Sequence, residues 1–220
     1  MTEPVDFQRA RRPEQREARS NAILDAAQEL LREHPARDIS LREIARHLGG
    51  SKSGIVGYYE TREALFLELL QRSRGDWLDE LARLLPDTTT VEEVTELWAR
   101  SLAARPVLCE LWSILSSVLE RNVSVALIRE FKLGNRRHLD RLAGLIAERI
   151  PGLDEPIATE LVNTSVVLLA GLWPFANPAP NVREATDDPR LTSSHVDFPA
   201  FFARGLRVFI AGLLSQTSCG

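Results

Sequence analysis

Residues 39–66, Ile-Ser-Leu-Arg-Glu-Ile-Ala-Arg-His-Leu-Gly-Gly-Ser-Lys-Ser-Gly-Ile-Val-Gly-Tyr-Tyr-Glu-Thr-Arg-Glu-Ala-Leu-Phe, decide the fold of this chain. Ser40 and Glu43 stand at capping-box spacing: the serine hydroxyl can accept from the N3 backbone N–H while the glutamate reaches back to the cap. Ile44, Ala45 and Leu48 then share one face of a short helix. Gly49-Gly50 follows where the chain needs positive φ to leave that helix, and Ser51 is placed to cap the next one. Two short helices joined by a glycine turn, backed by a longer amphipathic helix, make a helix-turn-helix. Its second helix is short enough to enter a DNA major groove.

Working outward, Ile23, Ala26, Ala27, Leu30 and Leu31 give the apolar stripe of a helix over about 20–33, which His34-Pro35 stops. On the other side Thr61 caps a helix of about two dozen residues, with Leu65, Phe66, Leu69, Leu70, Trp77, Leu81 and Leu84 on its stripe and Pro86 at its end. Further helices are expected at about 91–105, at 106–120 with Pro106 in the first turn, at 123–150, at 155–173 and at 198–214. Five prolines in 174–199 read as a long loop. No period-two alternation and no internal repeat is present, so the expected class is all-α. The boundaries fall at 1–19, a basic flexible arm, at 20–66, the helix-turn-helix domain, and at 67–220, a helical domain that shares a helix with it.

Composition bounds the function. At 220 residues, 44% hydrophobic and 26% charged, the chain is a globular protein with length enough for a sizeable core. Its start is polar, without the apolar segment of a signal peptide, and the apolar runs are expected to stop short of a membrane span. Cys109 and Cys219 lie far apart and form no metal spacing or disulfide framework, which predicts a cytoplasmic protein with no metal and no cofactor. A net charge of −4 is at odds with DNA binding until its distribution is read. Residues 1–75 hold thirteen Lys+Arg against twelve Asp+Glu, whereas the rest holds fourteen against nineteen. Within the first part Arg9, Arg11, Arg12, Arg16 and Arg19 are gathered before the first helix, either as a phosphate-seeking arm or as a solvated tail.

The stretch from Ile23 to Leu70 resembles the N-terminal domain of the TetR/AcrR family of transcriptional regulators. The likeness rests on Ile23-Leu24-Asp25-Ala26-Ala27-Gln28-Glu29-Leu30-Leu31, Ile39-Ser40-Leu41-Arg42-Glu43-Ile44-Ala45, Leu48-Gly49, Ser51-Lys52, Ile55, Tyr58-Tyr59 and Glu63-Ala64-Leu65. The resemblance implies an N-terminal three-helix helix-turn-helix domain and a C-terminal helical ligand-binding and dimerisation domain. It implies a homodimer, usually a repressor, whose small-molecule effector resets the spacing of two heads on a palindromic double-stranded operator. Ser51, Lys52, Ser53 and Gly54 then open the recognition helix, Tyr58 meets the DNA backbone and Arg62 lies near phosphate. The chain departs from the family pattern at Gly50, Gly54 and Val56, where an apolar turn residue, a threonine and a DNA-touching tyrosine are usual.

Those departures leave a reading surface poor in hydrogen-bonding groups. Lys52 can address guanine, and Val56 can pack on a thymine methyl. Most affinity is expected from phosphate contacts by Ser40, Arg42, Tyr58, Arg62 and the arginine arm. Tyr59 is expected in the core.

In the C-terminal half, the wide apolar faces of the two helices after residue 154 are expected to pair with their twins through Leu161, Val162, Val166, Leu169, Phe202, Leu206, Phe209 and Leu213, the rival being intrachain core. An effector pocket is expected among Trp98, Cys109, Trp112, Ser116, Phe131, His138, Asn163 and Trp173, against the alternative of ordinary packing. If the patch around His138 faces inward it favours an anionic ligand; if outward, it is a solvated face. No catalytic motif is present, so an enzyme is not expected. The alternative to a regulator is a helical ligand-binding or interaction protein with weak or lost DNA binding.

Overall fold

The computed structural model describes residues 6–87 and 89–217, and by backbone alone 6–12, 192, 193 and 217. The regular structure among these residues is helical throughout. The head consists of α1 (Asp6–Glu33), α2 (Leu41–His47) and α3 (Lys52–Val56), closed by the first turns of α4 (Arg62–Leu84). The body adds α5 (Val91–Ala103), α6 (Pro106–Ser113), α7 (Val125–Ala147), α8 (Glu155–Ala176), α9 (Pro180–Thr186) and α10 (Phe198–Thr217).

Local sequence sets the element starts. The capping box forms as expected: Ser40 N–H donates to Glu43 Oε2 at 2.7 Å and Glu43 N–H donates to Ser40 Oγ at 3.3 Å. Thr61 accepts from Ala64 N–H at 3.0 Å, and Thr90 with Glu93 forms a second capping box at the start of α5. Gly49 takes φ +66°, while Gly50 stays out of the positive-φ region, so only the first glycine of the pair meets the conformational demand of the turn. Ser51 corrects the expectation. Its backbone sits at the cap of α3, but the side chain makes no cap bond and instead pairs with Ser53 Oγ at 2.9 Å.

Ile23, Ala27, Ile44, Ile55, Leu65, Phe66 and Leu69 are buried together and hold the head. Each such aliphatic or aromatic side chain contributes roughly 1.5–3 kcal/mol by leaving water. α4 then runs on into the body, where Trp77 is buried, donates Nε1–H to Ser101 Oγ at 2.8 Å and meets Trp112 edge to face at 6.0 Å. α7 packs on α4 and α8, and α10 packs on α5 and α8. Gly205 lets Leu168 lie against α10 where it meets α8: a Cβ there would stand 2.6 Å from Leu168 Cδ2 and turn that side chain aside.

Several expectations are corrected. α1 begins at Asp6 rather than near residue 20, so 6–19 prolongs the helix instead of forming a flexible coil. Residues 13–19 are exposed, and apolar periodicity reports only the buried stretch of a helix. α6 stops at Ser113 and continues as a wide π turn, Leu115–Leu119. The expected loop over 174–199 contains the end of α8, all of α9 and a 3₁₀ turn, Pro189–Ser194.

α8 and α10 are also, by length and composition, apolar enough to cross a membrane, contrary to the expectation that the apolar runs stop short. Here they pack on α5, α6 and α7. Their inward faces hold Leu161, Val162, Leu169, Phe202, Leu206 and Leu213, all buried within the single chain and so not available to a twin. Val166 is partly buried and only Phe209 of the expected set is exposed. The outward faces carry Val167, Phe175, Phe201, Val208 and Phe209 instead. Helix α8 is apolar all round, which is why periodicity could not say which face turns inward.

Candidate nucleic-acid interface and a buried arginine cluster

The face opposite the head's core is built from α2 and α3. Arg42, Ser51, Lys52, Ser53, Gly54 and Val56 are exposed there, while Ile55 between them is buried and anchors α3. One exposed lysine, two hydroxyls and an apolar side chain 42% exposed form its outer edge. Such a face can accept or donate a few base-edge hydrogen bonds and offer Val56 to a methyl group.

Its rim is basic and comes from α1. The Arg16 guanidinium lies over the Tyr58 ring at 5.3 Å, and an Arg19 Nη2 sits 3.6 Å from where a Gly50 Cβ would stand. Both arginines are exposed. The side chains of Arg9, Arg11 and Arg12 lie outside the described residues. Tyr58 is half-buried, whereas Tyr59 is core and its hydroxyl pairs with Ser20 Oγ at 2.7 Å. Ser40 is tied into its capping box through the acceptor lone pairs of Oγ, leaving its hydroxyl proton available.

Arg62 has a different role from the one expected. Nη1 donates to the carbonyls of Arg37 at 3.0 Å and Ile39 at 3.1 Å, and Nε donates to Glu63 Oε1 at 2.9 Å. Its guanidinium thus braces the 3₁₀ turn Ala36–Asp38 instead of reaching for phosphate. The same turn is held from the body: Ala36 N–H donates to Glu110 Oε1, on α6, at 2.8 Å. Glu110 is half-buried, and burial raises its carboxyl above the usual carboxylate range although the Ala36 bond pulls the other way. A cleft of about 180 Å³ lined by Pro35, Arg62, Phe66, Glu110 and Val118 lies at this joint.

The eight expected pocket residues separate into four groups. Trp98 and Trp173 join an aromatic stack with Phe198 and Phe202, with ring centroids 5.0–6.2 Å apart. Cys109 is fully buried, its thiol directed to the Leu102 carbonyl at 3.3 Å. Ser116 and Asn163 are exposed. Only Trp112, Phe131 and His138 converge, and they do so on a residue the sequence reading did not select. Arg74 is fully buried on α4, its guanidinium 4.8 Å from the Trp112 ring centroid and 5.5 Å from that of Phe131. The signal was present: Arg74 lies on the apolar stripe of α4, in phase with Leu70, Trp77 and Leu81.

Burial lowers Arg74 to about 9, which leaves it charged near neutral pH. His138 is lowered in turn, first by burial and then by Arg74, Arg137 and Arg141, against a smaller opposing effect from Asp79. A separate open apolar cleft of about 640 Å³, lined by Phe175, Val182 and His195 among others, lies at the end of α8 and contains none of the eight.

Residues 23–69 match the family model for bacterial regulatory proteins, tetR family, and residues 71–217 match the tetracyclin repressor-like C-terminal domain. No curated protein matches the sequence. Among solved structures, the chain is similar to a possible TetR family transcriptional regulator from Streptomyces coelicolor A3(2). The TM-score is 0.59 at 18% identity, over 90% of this chain and 99% of that one. It is also similar to the fatty acid degradation regulator FadR from Bacillus halodurans, with TM-score 0.57 at 18% identity over 87% and 98%. FadR from Bacillus subtilis, solved in complex with stearoyl-CoA, gives TM-score 0.56 at 18% identity over 87% and 97%.

Proposed function

Since this chain belongs to the tetR family of bacterial regulatory proteins, we propose that it is a dimeric repressor that binds a palindromic operator through α2 and α3 and leaves it when an effector occupies the body. The observation that carries the reading is the head itself. Its apolar framework is buried while Lys52, Ser53, Gly54 and Val56 stand exposed together on one edge. Arg42, Tyr58, Arg16 and Arg19 supply the phosphate contacts that fix register, and α3 supplies what base reading there is. Gly54 and Gly57 each lower helix propensity by roughly 1 kcal/mol relative to alanine, so α3 gains order on the DNA.

A second copy covers the outward faces of α8 and α10. Val208 is 65% exposed and Phe175 72%, and with Val167, Phe201 and Phe209 they form more apolar surface than a lone chain leaves to water. Two-fold pairing there sets two heads on two half-sites, as operator symmetry requires.

α6 links the two activities. Glu110 grips the head through Ala36, and Trp112, two residues on, is stacked under Arg74 in the body. An effector that displaces Trp112 therefore acts on the same short helix that positions the head, and two arrangements of α6 are enough to change head spacing. FadR binds stearoyl-CoA in its solved complex. At 18% identity that likeness carries the fold alone.

The test is a gel shift with the DNA flanking the protein's own gene. Salt-sensitive retardation of one fragment, weakened uniformly by Arg16→Ala and selectively by Lys52→Ala, is expected. Absence of retardation at low ionic strength would favour the alternative of a ligand-binding protein without DNA binding.

A further inference from the structure

We propose that Arg74 anchors a site for an organic carboxylate with an apolar body, formed where α4, α6 and α7 meet. The proposal rests on the reading of residues 71–217 as the effector-binding half. Three observations converge on it.

The first is that Nε, Nη1 and Nη2 of Arg74 are buried and none has a hydrogen-bond partner. A guanidinium carries five N–H donors, and its position over the Trp112 and Phe131 rings satisfies its charge in part but none of those donors. The second is that, among the described residues, no carboxylate is paired with Arg74, and those on the flanking helices have other partners. Asp79 pairs with Arg141 at 2.7 Å, Glu80 pairs with Arg105, Glu120 pairs with Lys132, and Glu110 holds Ala36. Burial alone accounts for the lowered Arg74, with no anion offsetting it. A buried cation without a counterion is among the most unfavourable arrangements in a protein, and cores retain one where a ligand supplies the missing charge.

The third is the company the guanidinium keeps. Trp112 Nε1, Asn135 Oδ1 and His138 Nδ1 are likewise buried with no hydrogen-bond partner. Asn135 and His138 follow Phe131 at i+4 and i+7 on α7, so all three share the face packed on α4. The His138 ring passes beside Gly75, the residue after Arg74 on α4.

These groups define the ligand. The Arg74 fork matches a carboxylate bidentately, and the unpartnered indole N–H of Trp112 is a further donor for a polar group of the ligand. Arg74 is the buried cation of the group, with Arg141 paired to Asp79, Arg137 exposed to water and His138 lowered beside it, so a monoanion fits where a dianion is over-charged. A hydroxyl or amide on the ligand can meet Asn135 and His138. Trp112 and Phe131 set apolar rings against the cation and Trp77 backs Trp112, which calls for an aromatic or alkyl body on the carboxylate. The π turn Leu115–Leu119 immediately after Trp112 gives α6 a segment able to shift as the site fills.

The experiment is a thermal-shift titration of the full chain with sodium decanoate and sodium 1-naphthoate. Each is set against its neutral primary amide, and against chloride and phosphate at equal ionic strength. A carboxylate present at about a hundred times its Kd is expected to raise Tm by about 5 °C, with the amide and the inorganic ions giving no comparable rise. Arg74→Met should abolish that rise while leaving the ligand-free Tm equal or higher, since it removes an unpaired buried charge. Trp112→Phe, a milder change that keeps the aromatic wall, should weaken carboxylate binding about tenfold and provides the reading should Arg74→Met fail to fold.

Three outcomes overturn the proposal: no response to either carboxylate, an equal response to the amide, or an adventitious ion only (chloride or phosphate matching the carboxylates). Operator affinity measured on the same samples separates this test from the regulator reading. A carboxylate response in a protein that binds no DNA upholds the site and refutes the regulator reading; DNA binding with no carboxylate response does the reverse.

Discussion

Glu110→Ala removes the one side-chain acceptor by which α6 holds the head's 3₁₀ turn. The bond it deletes, Ala36 N–H to Glu110 Oε1, is 2.8 Å long and half-buried. A hydrogen bond to a charged partner contributes about 1.5–3 kcal/mol. Burial raises this carboxyl even with the bond in place, which marks a carboxylate incompletely compensated and points to the lower end, about 1.5 kcal/mol.

The Arg62 brace on Arg37 and Ile39 survives the change, so the turn loosens locally without global unfolding. Amide hydrogen exchange reads this directly. Protection at Ala36 should fall about tenfold in Glu110→Ala, that being the factor for about 1.4 kcal/mol. Amides in the middle of α4 serve as the internal control. Unchanged protection at Ala36 in Glu110→Ala refutes the claim that α6 holds the head through this bond.

Glu110 also predicts a pH dependence. Its folded-state value is raised, so the stability it contributes is complete below the unfolded carboxylate range and is lost as pH rises through the folded value. Glu110→Gln and the wild type should therefore have similar Tm at pH 4, with the variant ahead at pH 8; a constant difference contradicts this. Cys109 is fully buried and its thiol pushed well up by burial, so in a Cys219→Ser background a thiol reagent should label the native protein only as fast as it unfolds. Rapid stoichiometric labelling refutes that placement. Val208→Arg puts a charge on the outward face of α10 and should convert the dimer to monomer in analytical ultracentrifugation, with far-UV circular dichroism unaltered. A dimer of undiminished stability places the interface elsewhere.

What was legible in the sequence was what neighbours in the chain decide. The Ser40–Glu43 box, the Thr61 cap, the positive φ of Gly49 and the core position of Tyr59 all followed from spacing within a few residues. Residues that act across the fold were not legible. Arg62 is basic and close to the recognition helix, which fits phosphate binding until the carbonyls of 37 and 39 are seen to claim it.

Arg74 showed only as a charge in an apolar stripe, and its meaning depends on Trp112 and Phe131 from two other helices. α8 is apolar on every side, so the sequence held no instruction about which face met the chain's own core. The exposed N-terminal stretch of α1 has no buried face to betray it, and Ser51 lost its capping role to a hydroxyl two residues away.

The central claim is that the edge formed by Ser51, Lys52, Ser53 and Val56 reads DNA. Fluorescence anisotropy of the full chain on a fragment retarded in the gel shift, against a shuffled fragment of equal length, tests it over a salt series. The account predicts binding to both fragments whose logarithm falls linearly with that of salt, with the native fragment preferred by about a thousandfold or more. Lys52→Ala should cut that preference by about 1–3 kcal/mol while leaving the shuffled fragment almost as before. Equal affinity for the two fragments, or a preference that Lys52→Ala and Val56→Ala leave intact, contradicts the claim.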